Sequence, residues 1–262
     1  MARARRSPEL SLATIRERLV HSGLAWPIAA GLEALGAGEG FPEVADVDAA
    51  LAPRAGVRFV EQAPRGRRGR PRPLHDLYDA VIIERGEVPT RPGSLHDLMN
   101  ALVFARFPRA KRAVHARQRR LVAARFDERG ERAVPHRSKE QDAIAMLDEG
   151  GVALLCASAV VSEARAASEE RGEDRLRELA REGAILGVVF GHALYEHVAA
   201  EGPRVWAKAI LVEAADPRST SLEAVDAALA ELVEQAGPED LVRDRGSVPL
   251  AASVLGSRER EP

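Results

Sequence analysis

Three short stretches of the chain carry side chains suited to acid–base or metal chemistry. In the first, Val88 to Leu102, Thr90 and Arg91 stand on a turn bounded by proline and glycine. His96 and Asn100 follow, four residues apart, so they share one face of a helix. A histidine near a helix start and an arginine could hold a metal or an anion, or act as a general base. The plainer alternative is that Asp97 caps the helix and His96 packs over the turn. The second stretch, Gly191-His192-Ala-Leu-Tyr-Glu196-His197, also spaces an imidazole and a carboxylate by four. His192 and Glu196 could be two metal ligands from one helix, or simply one hydrogen-bonded pair. The third runs from His136 to Gly151 and offers Arg137, Asp142, Asp148 and Glu149. Asp142 points away from the apolar side formed by Ala143, Ile144 and Leu147, which reads as a solvated residue. The alternative brings Asp142 or Asp148 toward His96 and His192 as a carboxylate ligand.

The assignment that follows has His96, Asp97, Asn100 and Asp142 as catalytic residues. Thr90, Arg91 and Arg137 contact substrate, and His192, Glu196 and Asp148 hold a divalent metal. Other chemistries lack their signatures. The chain has no phosphate-loop or dinucleotide fingerprint, no nucleophile elbow, and no paired-histidine zinc motif with its internal glutamate. A single cysteine, Cys156, excludes cysteine-based zinc binding and any internal disulfide.

These stretches need elements to position them. Ser94 to Phe104 is expected to be helical, with Ser94 and Asp97 spaced like a capping box. Ser138 and Gln141 open a second capped helix that ends at Gly150-Gly151. Apolar runs at 152–156, 184–190 and 205–212 read as strands, with helices at 158–181 and 191–200 and a last one from Thr220 to about Gln235. Asp79 to Glu84 is β-branched and short, a further strand candidate. A long basic helix is expected from Pro108 to about Arg129, and residues 63–73 form a basic loop. The β-α-β order after residue 152 predicts a mixed α+β fold, with a sheet of about four strands covered by helices. Residues 1–53 read as an α-helical N-terminal extension with weak order between its elements. A core domain is expected over 54–236, followed by a loose polar tail at 237–262.

Bulk properties narrow the setting. The chain has 262 residues, 45% of them hydrophobic, enough to bury a sizeable core. No apolar run reaches the roughly 18 residues a membrane helix needs, and no membrane partner is expected. The charged start lacks an apolar stretch, so no secretory signal is expected; with one cysteine, the natural setting is the reducing cytoplasm. Net charge is −2, but residues 54–137 hold 20 basic and 9 acidic residues, a net of +11 that the rest of the chain offsets.

The segments Glu87-Val-Pro-Thr-Arg91, His96-Asp97-Leu-Met-Asn100-Ala-Leu102 and Phe107-Pro-Arg-Ala-Lys111 resemble a bacterial family known as domain of unknown function 3025 (DUF3025). Gln141-Asp142 through Gly150 and Phe190-Gly191-His192 through Glu196 are similar to its remaining motifs, in the same order. The resemblance spans roughly residues 58–213. The chain departs from it at Leu95, His115 and Ala145, where the family usually has Trp, Asn and Thr. The family name carries no activity, but the resemblance implies that His96, Asp97, Asn100, Asp142, Asp148, Glu149, His192 and Glu196 belong to one site.

The expectation is therefore a hydrolase-like enzyme acting on an anionic substrate, with water activated by a metal or a carboxylate. Arg91 would clamp the anion. Two alternatives stand beside it. One is a nucleic-acid-binding protein using the loop at 65–72 and Arg109, Lys111, Arg112, Arg117, Arg119 and Arg120, although aromatic residues are only 4%. The other is a scaffold in which the basic segment docks on the acidic C-terminal part of the same or another chain.

Overall fold

Two sheets of unequal size organise the helices in the computed structural model. It describes residues 10–38, 40–62, 73–126, 137–200, 202, 205–237 and 246–257. Helix α1 (Leu12–His21) starts at Ser11, whose hydroxyl accepts a bond from the Thr14 N–H. A short turn leads into α2 (Ala29–Ala34), and α3 (Val44–Ala55) follows behind a Glu43/Asp46 capping box. Strand β1 (Arg58–Glu61) is next, then α4 (Tyr78–Arg85) and β2 (Glu87–Thr90), which pairs with β1 in parallel. Helix α5 (Leu95–Arg106) begins at the Ser94 cap and buries nine of its residues, Leu95 and Leu98 to Ala105.

Helix α6 (Pro108–Ala123) opens on a proline and has no cap of its own. Its first N–H groups are instead satisfied from a distant helix: Asp226 accepts from the Arg109 and Ala110 N–H groups at 3.1 and 2.8 Å. Helix α7 (Lys139–Gly150) has the Ser138/Gln141 capping box that its sequence announces. The main sheet then forms from β3 (Gly151–Ala157), β4 (Ile185–Val189), β5 (Trp206–Ala214) and β6 (Ser247–Pro249). Helices α8 (Val161–Glu169) and α9 (Glu173–Arg181) fall between β3 and β4, and α10 (His192–Ala200) between β4 and β5. Asp226 lies on α11 (Leu222–Gln235), between β5 and β6; α12 (Ala252–Leu255) closes the chain. The strand order is β4-β3-β5-β6, with β3 and β5 parallel and both edge strands antiparallel. The fold is mixed α+β with a four-stranded sheet, as the pattern of the sequence implied.

Several local expectations are corrected. Residues 79–84 are helical, because Ala80, Val81 and Ile82 bury one face and Gly86 ends the helix in the left-handed region at φ 67°. The strand comes just after, at Glu87–Thr90. Residues 158–181 form two helices, broken at Arg171 and Gly172, where Arg171 takes φ 55°. The last long helix is capped by Ser221, not Thr220. The stretch before Arg54, expected to be weakly ordered, contains α3. The expected loose tail contains β6 and α12, and Val248, Leu250, Val254 and Leu255 are fully buried. Short runs hide this anchoring, since three or four apolar residues give no period to read. The basic helix ends at Ala123, and the basic loop expected at 63–73 lies outside the described residues, apart from Pro73.

Candidate active site

The helices α5 and α10 start near one another, and both point a histidine at the same place. Their approach depends on Gly191. A Cβ there would lie 2.5 Å from the Glu149 carbonyl oxygen and 2.6 Å from the Gly151 nitrogen. Only a residue without a side chain lets α10 abut the end of α7 this closely. The Gly191 N–H donates to the Gly151 carbonyl at 2.7 Å, and the next residue, His192, reaches the Asp148 carbonyl with Nδ1 at 2.8 Å.

From α5, His96 turns Nδ1 to the Glu196 carboxylate at 2.8 Å. Its Nε2 meets Nε2 of His192 at 3.1 Å, with the ring planes 74° apart and the ring centres 4.6 Å apart. His96 is partly exposed, whereas His192 is nearly buried. The network sets the protons. A bond to a carbonyl oxygen makes Nδ1 of His192 a donor, so its Nε2 carries a lone pair. A bond to a carboxylate makes Nδ1 of His96 a donor as well. The two Nε2 atoms therefore face each other across a position that one proton or one cation must fill.

Beneath this pair lies a buried charge knot. Lys111, on α6, is wholly enclosed; its ammonium donates to Asp148 Oδ1 at 2.5 Å and to Asn100 Oδ1 at 2.7 Å. Asn100 passes its amide N–H to the Tyr78 hydroxyl at 3.0 Å. Beside it His115, also buried, bonds Asp79 through Nδ1 at 2.9 Å and stacks on Phe104.

A cavity of about 410 Å³ opens over these groups. Its wall includes Tyr78, Asp79, Arg91, His96, Asp97, Asn100, Arg137, Asp148, Glu149 and His192. Of the ten residues assigned from sequence, seven line it. Glu196 acts from behind His96. Thr90 does not line it: it is buried in β2 and donates its hydroxyl to the Val88 carbonyl. Asp142 is exposed beside Arg137, 3.9 Å away, and stays outside the cavity. It lies two turns before Asp148 on α7, on the solvated side its spacing first suggested.

Charge is arranged unevenly. Hydrogen bonding to Glu196 raises the pKa of His96 above its ordinary value. Burial, with Lys111 nearby, pushes His192 down to about 4. For Asp148, burial pushes upward, but Lys111 above all overrides it and holds the carboxyl well below the usual range. Arg91 is committed to Asp97 through three bonds of 2.7–2.8 Å, and this pairing holds Asp97 low against its own burial. Five carboxylates, those of Asp76, Asp79, Asp97, Asp148 and Glu149, line the cavity against two arginines. Among the described residues no group of three or more His, Cys, Asp and Glu is arranged to hold a metal ion. His192, Glu196 and Asp148 do not form the expected trio: Glu196 is taken by His96, and the Asp148 carboxylate by Lys111.

Sequence reasoning missed Tyr78, Asp79 and His115 as site residues and gave Lys111 to nucleic-acid contact. Lys111 did leave a trace. It is the only lysine between Arg54 and Arg137, in a segment whose other basic residues are all arginine, and Ala110, Ala113 and Val114 around it are buried. Tyr78 and Asp79 were hidden by reading their helix as a strand.

Comparison with known proteins gives one family. The family model described as "Protein of unknown function (DUF3025)" matches residues 57–256. No curated protein matches. Among solved structures, the apo structure of the cold-active phenylalanine hydroxylase from Colwellia psychrerythraea 34H aligns over 89% of this chain and 90% of its own, with 8% identity and a TM-score of 0.42. That likeness is too slight to carry an argument.

Proposed function

The chain belongs to the DUF3025 family, and we propose that it is a hydrolase-like enzyme whose reacting edge is the facing pair of Nε2 atoms on His96 and His192. The observation that carries this reading is their 3.1 Å separation at the wall of the cavity, with each ring held from behind by an oxygen acceptor. The position between the two nitrogens is positive whatever fills it. A positive centre with fixed partners polarises a bound carbonyl or water without reorganising during the reaction. In the hydrolysis of an ester or amide, the water oxygen bonds to the acyl carbon and the bond to the leaving group breaks. One water hydrogen ends on the leaving group.

The cavity alters the expected substrate. Arg91, the intended anion clamp, is spent on Asp97, and only Arg137 faces the space with a long ion pair. With Asp97 paired to Arg91, Asp148 to Lys111 and Asp76 to Arg85, the wall carries little uncompensated charge, and a neutral substrate suits the cavity better than an anionic one. Nucleic-acid binding loses ground for a related reason. Lys111 and Arg117 are buried, and Arg119 is paired with Glu84. Part of the basic segment instead docks on α11 of the same chain: Arg106 pairs with Glu223, and Arg117 donates to the Val233 carbonyl. No described helix is long and apolar enough to cross a membrane, and buried Cys156 suits a reducing cytoplasm.

A panel of chromogenic esters and amides, assayed with wild type, His96→Ala and Asp142→Asn, tests the reading. Hydrolysis is expected to fall by roughly 10²-fold or more in His96→Ala and to persist in Asp142→Asn. Wild-type rates in His96→Ala, or no turnover of any panel member, overturn it.

A further inference from the structure

With both Nδ1 atoms donating, to Glu196 and to the Asp148 carbonyl, the position between His96 and His192 is filled by a proton or a metal cation. We infer that it is the binding site of a divalent transition-metal ion, held by Nε2 of His96 and Nε2 of His192, with the remaining positions open to water from the cavity. The inference rests on the reading of this pair as the reacting edge.

Geometry admits a shared ion. In a head-on N–H···N bond of 3.1 Å the ring centres lie apart by that distance plus about two ring radii, roughly 5.4 Å. The observed separation is 4.6 Å, so the two rings are tilted away from a head-on alignment. Two imidazole nitrogens about 2.1 Å from one ion, and 3.1 Å from each other, subtend roughly 95° and place the ring centres roughly 4.8 Å apart. The observed rings are compatible with that shared coordination.

The outer contacts point the same way. A metal-bound imidazole characteristically donates its other N–H to a carboxylate or a backbone carbonyl, which fixes the ring. His96 has the first kind of partner in Glu196, and His192 the second in the Asp148 carbonyl. A Cβ on Gly191 would collide with the Glu149 and Gly151 backbone, beside the Asp148 carbonyl that His192 bonds. Two imidazole donors favour zinc, cobalt, nickel or iron over magnesium and calcium, which prefer oxygen ligands. Glu196 does not touch the ion in this arrangement and serves as a positioning residue.

The test uses the untagged full chain, stripped with chelator and titrated with Co²⁺ alone and then with Zn²⁺. Wild type is expected to bind roughly one equivalent of Co²⁺ with a visible absorption band that Zn²⁺ abolishes and Mg²⁺ does not. His96→Ala and His192→Gln should lose the band, Glu196→Gln should weaken Co²⁺ binding roughly tenfold or more, and Asp142→Asn should bind as wild type does. Thermal melting of each metal-free variant identifies any that fail to fold, and partly exposed His96 keeps the test decisive if buried His192 tolerates no change. No band at saturating Co²⁺, or an unchanged band in folded His96→Ala, overturns the inference. The two proposals fail separately. A protein that hydrolyses through these histidines without binding Co²⁺ keeps the enzyme reading and loses the metal; one that binds Co²⁺ through them but hydrolyses equally well as His96→Ala keeps the metal and loses the enzyme reading.

Discussion

Lys111 and Asp148 form an ion pair of 2.5 Å in which the lysine is completely enclosed, sealed beneath the cavity floor with Asn100 as its second partner. An ammonium this deep persists only because both oxygens are in place.

Lys111→Met should therefore destabilise the protein by about 3–5 kcal/mol, since it strands the Asp148 carboxylate in a buried site. The double variant Lys111→Met/Asp148→Leu should recover part of that loss, because it removes both charges. Urea denaturation of the two variants and wild type measures the difference. Equal stability of wild type and Lys111→Met would show that the pair does not hold the floor.

Gly191→Ala should be costly although the change is one methyl. The added carbon would sit within about 2.6 Å of two backbone atoms, and backbone cannot swing aside as a side chain can. A loss on the order of 1–3 kcal/mol follows from overpacking, along with lower Co²⁺ affinity as His192 shifts. A crystal structure of the variant with the His192–Asp148 contact intact would contradict this.

Asp48 ties α3 to β1. Its carboxylate accepts from Arg58 Nε at 2.8 and 3.0 Å, pairs with Arg58 Nη2 at 2.7 Å, and takes the Phe59 N–H at 2.8 Å. The bond to Arg58 holds its pKa below the ordinary value, and the smaller effect of burial opposes it. A carboxyl lowered on folding contributes stability above its unfolded pKa and loses it as pH falls through the folded one. Asp48→Asn should be less stable than wild type at neutral pH, and the gap should narrow below about pH 4. Melting temperatures across pH 2–7 check this; a gap that widens in acid has the wrong sign.

Nucleic-acid binding through α6 would fall on its exposed arginines. Of the six basic residues on α6, only Arg109, Arg112 and Arg120 are exposed. Replacing these three by glutamate should leave the fold intact, because none anchors the core. If a DNA gel shift is seen in wild type at low salt and vanishes in the triple variant, the basic surface regains its place.

The helices that carry the site were legible in the sequence wherever a polar cap met an apolar period: Ser94 before α5, Ser138 before α7. The sheet was legible because β3 and β4 are buried on both faces and read as unbroken apolar runs, and because β5 carries the apolar run Ala209–Val212. What stayed hidden is whatever depends on distant partners. The cap of α6 is Asp226, more than a hundred residues away. The burial of Lys111 requires Asn100 and Asp148 from two other helices. Thr90 and Asp142 misled for the converse reason: they stand in the same motifs as the site residues, but neighbourhood in sequence does not settle which way a side chain points. His96 with Asn100, and His192 with Glu196, stand out because spacing by four gives each helix a polar face, and the fold brings those faces together; Asp148 has no such spacing.

Asn100 has one more consequence. Lys111 can only donate, so the amide oxygen must face it, and the amide nitrogen is left to donate to Tyr78. The tyrosine oxygen is thus spoken for as an acceptor. Burial first, then the surrounding carboxylates, push its pKa upward, so it remains a phenol. Its hydrogen is left over, on a side chain that lines the cavity. The lysine sealed under the floor thereby dictates, through one amide, the polarity that an incoming molecule meets at the wall: a hydrogen offered, and a lone pair required in return.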